Sequence, residues 1–289
     1  VRIRSSASDA IAADRSSDSL RERRPLGELL GLDDVQRERV VQRQAETGHL
    51  FGETTVELGF VTTEQVQRAI EQQQGFSILR QDDQRVDPLI VTAFDPEDVL
   101  ARTARSLRGI ITAATRQDGK PVRTVALLGL DAAAELPVLA GNVAVACAQT
   151  GVPTLLVDAE LDQPHQHTLF RAGNRAGLAT LLSNGGQGGL VQSTAIVGLS
   201  LLTSGPPVPN APELLDRQRL ATTIELFVED FDLLLVDAGC GPNALAAATG
   251  LDASILFLRR NVSRTRDLQV VTEQLEASSQ AVLGTVLID

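Results

Sequence analysis

From residue 125 onward, short apolar runs recur, each broken by polar or glycine-containing loops and followed by apolar residues at helical spacing. Residues 125–128, the run ending at Asp158, and residues 199–202, 232–237, 255–258 and 282–288 have strand length and composition. Residues 138–150, 178–182, 212–227 and 267–277 read as helices between them. Alternation of this kind predicts an α/β fold, a mostly parallel doubly wound sheet with helices on both faces.

The first 120 residues follow a different pattern. Residues 1–22 are rich in Ser, Asp, Arg and Ala without a sustained apolar period, and read as a disordered leader. Residues 23–75 read as a small helical domain with an imperfect tandem repeat: Leu26-Gly27-Glu28-Leu29-Leu30 opens one unit and Phe51-Gly52-Glu53 the next. Thr62 followed by Gln65 has capping-box spacing, so a helix is expected from about Thr63, with Val66, Ala69 and Ile70 on one face. Residues 76–120 read as a linker and helix, with short extended pieces at 76–79 and 89–91 and an amphipathic helix opened by Pro96. The sheet domain is then expected over 121–289.

Net charge is −11 and Lys120 is the sole lysine, which argues against nucleic acid as a partner because phosphate neutralisation needs clustered cations. Cys147 and Cys240 lie in apolar surroundings without metal-ligand spacing, as reduced core residues do; this fits a cytoplasmic compartment. No apolar run reaches the roughly 18 residues of a membrane span, so recruitment to the inner membrane would go through a partner. His165 and His167 lack a third ligand and read as surface residues, and no metal site is expected.

The unit from Val125 to Asp158 is a strand, loop, helix and strand, the frame of a phosphate-binding domain. In that frame the loop holds glycine and then Gly-Lys-Ser/Thr; counted back from Asn142, those places hold Leu130, Glu135, Leu136 and Pro137. The lysine, the hydroxyl and one backbone N–H are missing, and Glu135 puts an anion where phosphate would sit. Two like charges about 4 Å apart repel by roughly 1–4 kcal/mol. Pro in the first helical turn and an acid near its start favour the helix itself, so Glu135 and Pro137 are expected to cap it internally.

Several segments resemble the cytoplasmic domain of the bacterial tyrosine autokinases of capsule and exopolysaccharide synthesis, a branch of the MinD/ParA-like P-loop ATPases. They are Asn142 to Gly151, Leu155 to Pro164, Gly177 to Leu182, Ser204 to Leu215 with its Gly-Pro-Pro-Val-Pro-Asn core, Asp232 to Asp237, and Val282 to Leu287. The resemblance implies a P-loop NTPase-like fold, with Asp158 in the second acidic motif and Asp237 at the metal-organising position. Departures accompany it. Glu160 and Asp162 stand where the family has Asp and Arg, and Arg102, Arg105 and Arg108 replace its Glu-x-x-Arg-x-x-Arg ring-forming motif. The chain has no tyrosine, so a tyrosine-rich tail to be autophosphorylated is absent. Asp158 and Asp237 are therefore vestigial, solvated or capping loops, and ATP–Mg²⁺ is not expected as a cofactor.

Residues 23–75 resemble the N-terminal domain of type II secretion and pilus assembly ATPases, which in some members binds cyclic di-GMP. That resemblance would put the ligand at Arg23, Arg24, Leu26, Gly27, Phe51 and Gly52, although Pro25 and Leu50 occupy the places of the repeat's arginines. The leading expectation is a non-catalytic relative of the kinases that regulates polysaccharide synthesis or export by contacting an inner-membrane copolymerase or another assembly protein. A homo-oligomer is compatible with it. An active ATPase or kinase with an unorthodox phosphate loop and a cyclic di-GMP receptor are the alternatives.

Overall fold

A computed structural model describes residues 2–5, 26–63, 65–66, 69, 78–131, 135–184, 189–208, 211–215 and 219–288. The chain divides into two compact units, residues 10–78 and residues 1–9 with 79–289.

In the smaller unit, α1 (Leu26–Leu29), α2 (Asp34–Thr47) and α3 (Phe51–Glu57) are fixed by local polar bonds as much as by packing. Asp33 accepts from the Gln36 N–H while the Gln36 side chain accepts from the Asp33 N–H, a closed capping box. Gly48 ends α2 in the left-handed region at φ 72°, a conformation glycine adopts without a Cβ clash. The expected Thr62–Gln65 box is present, with bonds of 2.8 and 3.3 Å. Leu32, Val40, Val66 and Ala69 are buried.

The larger unit is an eight-stranded sheet in the order β1-β8-β7-β2-β6-β3-β5-β4. Its strands are β1 (Arg2–Ser5), β2 (Thr124–Gly129), β3 (Thr154–Asp158), β4 (Gln192–Ser193), β5 (Leu199–Leu202), β6 (Leu233–Cys240), β7 (Ala253–Arg259) and β8 (Ala281–Ile288). The inner six run parallel, and β1 and β4 close the edges antiparallel. The helices of this unit are α4 (Val99–Ala113), α5 (Glu135–Ala148), α6 (Gln166–Leu169), α7 (Leu178–Asn184), α8 (Ala211–Leu215), α9 (Arg219–Ile224), α10 (Pro242–Ala248) and α11 (Thr265–Ala277).

Strand side chains alternate between two apolar layers, as the two-residue period requires. Val125 and Leu127 enter the layer shared with α4 and α5; Ala126 and Leu128 enter the layer shared with α7 to α10. Twelve of the fourteen residues of α5 are buried, so this helix lies inside the fold, covered by α4 and the segment before it.

Four expectations change. Residues 2–5 of the expected leader pair with β8 as an edge strand. Residues 79–120 are part of the sheet unit's core, through Ile90, Leu107 and Ile111. Residues 89–91 form no strand; Val91–Ala93 is a short 3-10 turn. The single helix expected over 212–227 is α8 and α9 followed by a 3-10 turn at Glu225–Phe227, with 216–218 outside the described residues. No helix among the described residues is long and apolar enough to cross a membrane.

Candidate functional site

The site lies where the C-terminal ends of β2, β3 and β6 meet the start of α5, the crevice in which open α/β sheets bind ligands. β2 ends at Gly129 and α5 starts at Glu135, so the loop falls where the residue count placed it. Residues 132–134 of that loop lie outside the described residues. Its first part is tied down: Leu130 donates to the Phe257 carbonyl at 3.1 Å, and the Ser263 hydroxyl donates to the Asp131 carboxylate.

The lysine's place, Leu136, is fully buried and belongs to the apolar layer beneath α5. Pro137 is buried beside it, and Glu135 is exposed at the first helical position. The Pro137 carbonyl accepts from the Gln166 side chain at 2.9 Å. Helices α4 and α5 are joined by polar contacts as well as packing. Arg108 of α4 donates to the Ala146 carbonyl of α5 at 3.3 Å, while Arg105 donates to the Pro96 carbonyl just before α4. Asn142, fully buried, accepts from the Thr92 N–H at 2.8 Å and donates to the Leu89 and Val138 carbonyls.

Asp158 and Asp237 are register partners on adjacent parallel strands, and both are fully buried. Their place two residues beyond Leu156 and Leu235 puts both carboxylates on the face that α5 covers. They are not solvated, as the sequence reading allowed; each caps a loop. Asp158 accepts from the backbone N–H groups of Glu160 and Gln166, at 3.3 and 3.0 Å. Asp237 accepts from the Gly239 N–H at 3.2 Å. Burial, with the neighbouring Asp237 charge, holds Asp158 well above the ordinary carboxylate range. Burial likewise lifts Asp237 to about 6, against the lowering effect of its bond to Gln166.

Gln166 is the residue that sequence reasoning missed. Its amide nitrogen donates at 2.7 Å to Asp237 and at 2.9 Å to Pro137, bridging β6 to the first turn of α5. Its amide oxygen is buried without a hydrogen-bond partner. The signal in the sequence was slight: a Gln between two histidines has no periodicity to mark it, and its burial follows from tertiary closure.

Around this bridge, Glu160 is raised by burial although it accepts from the N–H groups of Asp162, Gln163 and Cys240. Asp162 is exposed and accepts from the Asn243 amide at 3.0 Å. His165 is exposed; His167 is half-buried, lowered by burial, and near the Thr168 hydroxyl. No cluster of three or more His, Cys, Asp or Glu residues suited to a metal ion occurs among the described residues.

In the smaller unit, Arg23 and Arg24 lie outside the described residues. Gly27 and Gly52 are buried, and Leu26 and Phe51 half-buried. Gly27 lies close to both Phe51 and Arg37: a Cβ on Gly27 would sit 3.1 Å from Arg37 Cδ and 3.3 Å from Phe51 Cζ. The Arg37 guanidinium already donates to the Leu32 carbonyl at 3.0 Å and faces Asp34 at 3.4 Å.

No protein-family model matches the chain. Over 196 residues it is 27% identical to CapB of Staphylococcus aureus, named as a tyrosine-protein kinase, covering 66% of this chain and 85% of CapB. It is 30% identical over 155 residues to the tyrosine-protein kinase YwqD of Bacillus subtilis, covering 51% of this chain and 64% of YwqD. It spans only 21% of the longer tyrosine-protein kinase Etk of Escherichia coli. Among solved structures, the chimerical protein CapA2B2 superposes with a TM-score of 0.61 at 25% identity, over 76% of this chain and 97% of that one. The septum site-determining protein MinD of Pyrococcus horikoshii, complexed with Mg-ADP, shares the fold at a TM-score of 0.51 and 19% identity, over 57% and 69% of the two chains. The chain is a homologue of the bacterial tyrosine-protein kinases, built on the MinD-like P-loop fold.

Proposed function

We propose that this chain is a non-catalytic relative of the polysaccharide-associated tyrosine kinases and acts in polymer synthesis or export by contacting other proteins. The observation that carries this reading is the fate of the lysine's place: Leu136 is a core residue with none of its surface exposed. A triphosphate–Mg²⁺ complex does not suit the residues around it. Pro137 has neither hydroxyl nor N–H to offer, and the Gln166 amide lies between Asp237 and the Pro137 carbonyl. With these groups gone, nothing described at the helix start compensates the charge of a transferring phosphoryl group, which is most of what such an enzyme supplies. A partner at the cytoplasmic face of the inner membrane, a polysaccharide copolymerase or another assembly protein, fits the relatives' association with capsule and exopolysaccharide systems.

Incubation with γ-labelled ATP, Mg²⁺ and a tyrosine-containing acceptor peptide tests the first half of the reading. The expected result is no label on peptide or protein above a no-protein control. Label transfer that survives repurification and disappears in an Asp237→Asn variant would restore the enzyme reading.

A second reading, a cyclic di-GMP receptor, draws support from the closeness of Gly27 to both Phe51 and Arg37 in the smaller unit. Calorimetric titration of the intact chain with cyclic di-GMP, repeated on Arg37→Ala, decides it. A saturable signal lost in the variant favours the receptor, and no signal removes it.

A further inference from the structure

The chain carries 37 acidic against 26 basic residues, so a cation-walled recess stands against its overall charge. One lies where β7 ends and α11 begins, with a volume of about 260 Å³. Arg259, Arg260 and Arg264 line it together with Leu258, Leu268 and Leu287, and no carboxylate is among its described lining residues. Arg259 and Arg260 also have interactions within the chain. Arg264 occupies the N-cap position of α11 and makes no side-chain cap there. Asp267, in the first turn of α11, does not line the recess, and Asp131 is joined to its edge through Ser263.

We propose that this recess binds a phosphotyrosine side chain carried on another protein, an inference that rests on the reading of the chain as a protein-contacting relative of the kinases. A guanidinium presents paired N–H donors that match phosphate oxygens; the exposed Arg264 offers one, and the charges of Arg259 and Arg260 beside it favour a dianion over a single carboxylate. The start of a thirteen-residue helix adds partial positive charge to the same place. The leucines give the other half of the match, because an aryl phosphate carries its charge on an apolar ring. The volume lies just under the roughly 300–1,000 Å³ of small-molecule sites, a scale suited to one side chain. The chain has no tyrosine of its own, so such a group has to come from elsewhere. Its relatives are named for making this modification. Arginine clusters are a recurrent means of reading phosphorylated motifs.

Fluorescence anisotropy on the full chain tests the inference with three labelled peptides that share Gly/Ser flanks and differ at one residue: phosphotyrosine, tyrosine or glutamate. The phosphotyrosine peptide is expected to bind at least about tenfold tighter than the other two. Arg260→Gln/Arg264→Gln is expected to weaken it by at least about tenfold while circular dichroism still reports a folded chain. Arg264→Gln alone, at an exposed position, is the second variant should the pair perturb folding; it is expected to weaken binding in the same direction. Equal affinity for the phosphotyrosine and glutamate peptides, or unaltered affinity in a folded Arg264→Gln, would overturn the proposal. Nucleotide binding is measured separately. If ATP fails to bind and all three peptides bind alike, only the phosphotyrosine site is lost; if ATP binds, the non-catalytic reading is lost.

Discussion

Asp237 titrates near 6 because folding removes it from water faster than the Gln166 amide and the Gly239 N–H can compensate. Since its folded value is raised, its contribution to stability is fully present below the unfolded carboxylate range and is lost as pH rises from about 4 through about 6. A rise of this size corresponds to roughly 3 kcal/mol at about 1.4 kcal/mol per pH unit. Urea denaturation at pH 4.5 and 7.5 checks it: the parent is expected to lose stability across that interval, and Asp237→Asn to lose less, with the remaining loss due to Asp158, which burial also raises. Equal pH slopes would contradict the account of the pair. Gln166→Ala strips the bridge and is expected to cost about 1–3 kcal/mol through the lost bond to the Pro137 carbonyl and the less satisfied Asp237. Gln166→Glu would add a third buried carboxyl, so it should cost more than Gln166→Ala at pH 7.5, with the gap narrowing at pH 5. Leu136→Lys, which replaces the family's missing group, should destabilise by several kcal/mol because it puts an ammonium among apolar side chains.

At the scale of elements, the proposed loss of nucleotide binding turns on α5. A helix that would have offered its N-terminus to phosphate is enclosed by α4, the 3-10 turn at Val91–Ala93 and Gln166 of α6. Asn142 of α5 bonds the Thr92 N–H of that turn and the Leu89 carbonyl before it, and Asn142→Ala is expected to cost about 2–4 kcal/mol as both lose their partner in a dry interior. Thermal unfolding measures that loss. Elsewhere the close contact of α7 with the loop after β5 depends on a missing side chain. A Cβ on Gly177 would lie 2.0 Å from the Thr203 carbonyl oxygen, and that carbonyl accepts from the Leu178 N–H at 2.7 Å. Gly177→Ala should therefore cost about 1–3 kcal/mol by overpacking; an unchanged melting temperature would contradict the approach of the two segments. Strands and helices of the sheet were legible because buried parallel strands read as continuous apolar runs, as at Leu233–Val236. What escaped were elements whose cause is not periodic. Helix α10 follows Pro242 through small alanines, β4 is two residues long, and β1 depends on an edge that only the assembled sheet provides.

For the molecule as a whole, the place of the site was legible and its chemistry only by subtraction. Counting from Asn142 located the loop, and the residue types at Leu136 and Pro137 excluded the usual grip. Which group occupies the space between the two acidic strand ends was not legible, because Gln166 arrives there from a turn eight residues beyond Asp158 and no local rule directs it inward. The protein keeps a kinase-like sheet in which the Asp158 and Asp237 carboxylates are buried and cap loops. Its central claim is that the start of α5 does not hold a nucleotide. Isothermal titration of the intact chain with ATP–Mg²⁺ tests this most directly. The account predicts no saturable heat at nucleotide concentrations up to about 1 mM, a limit equivalent to about −4 kcal/mol of binding free energy. A one-to-one isotherm with a Kd near 1 μM, about −8 kcal/mol, that is abolished by Asp237→Asn would contradict it.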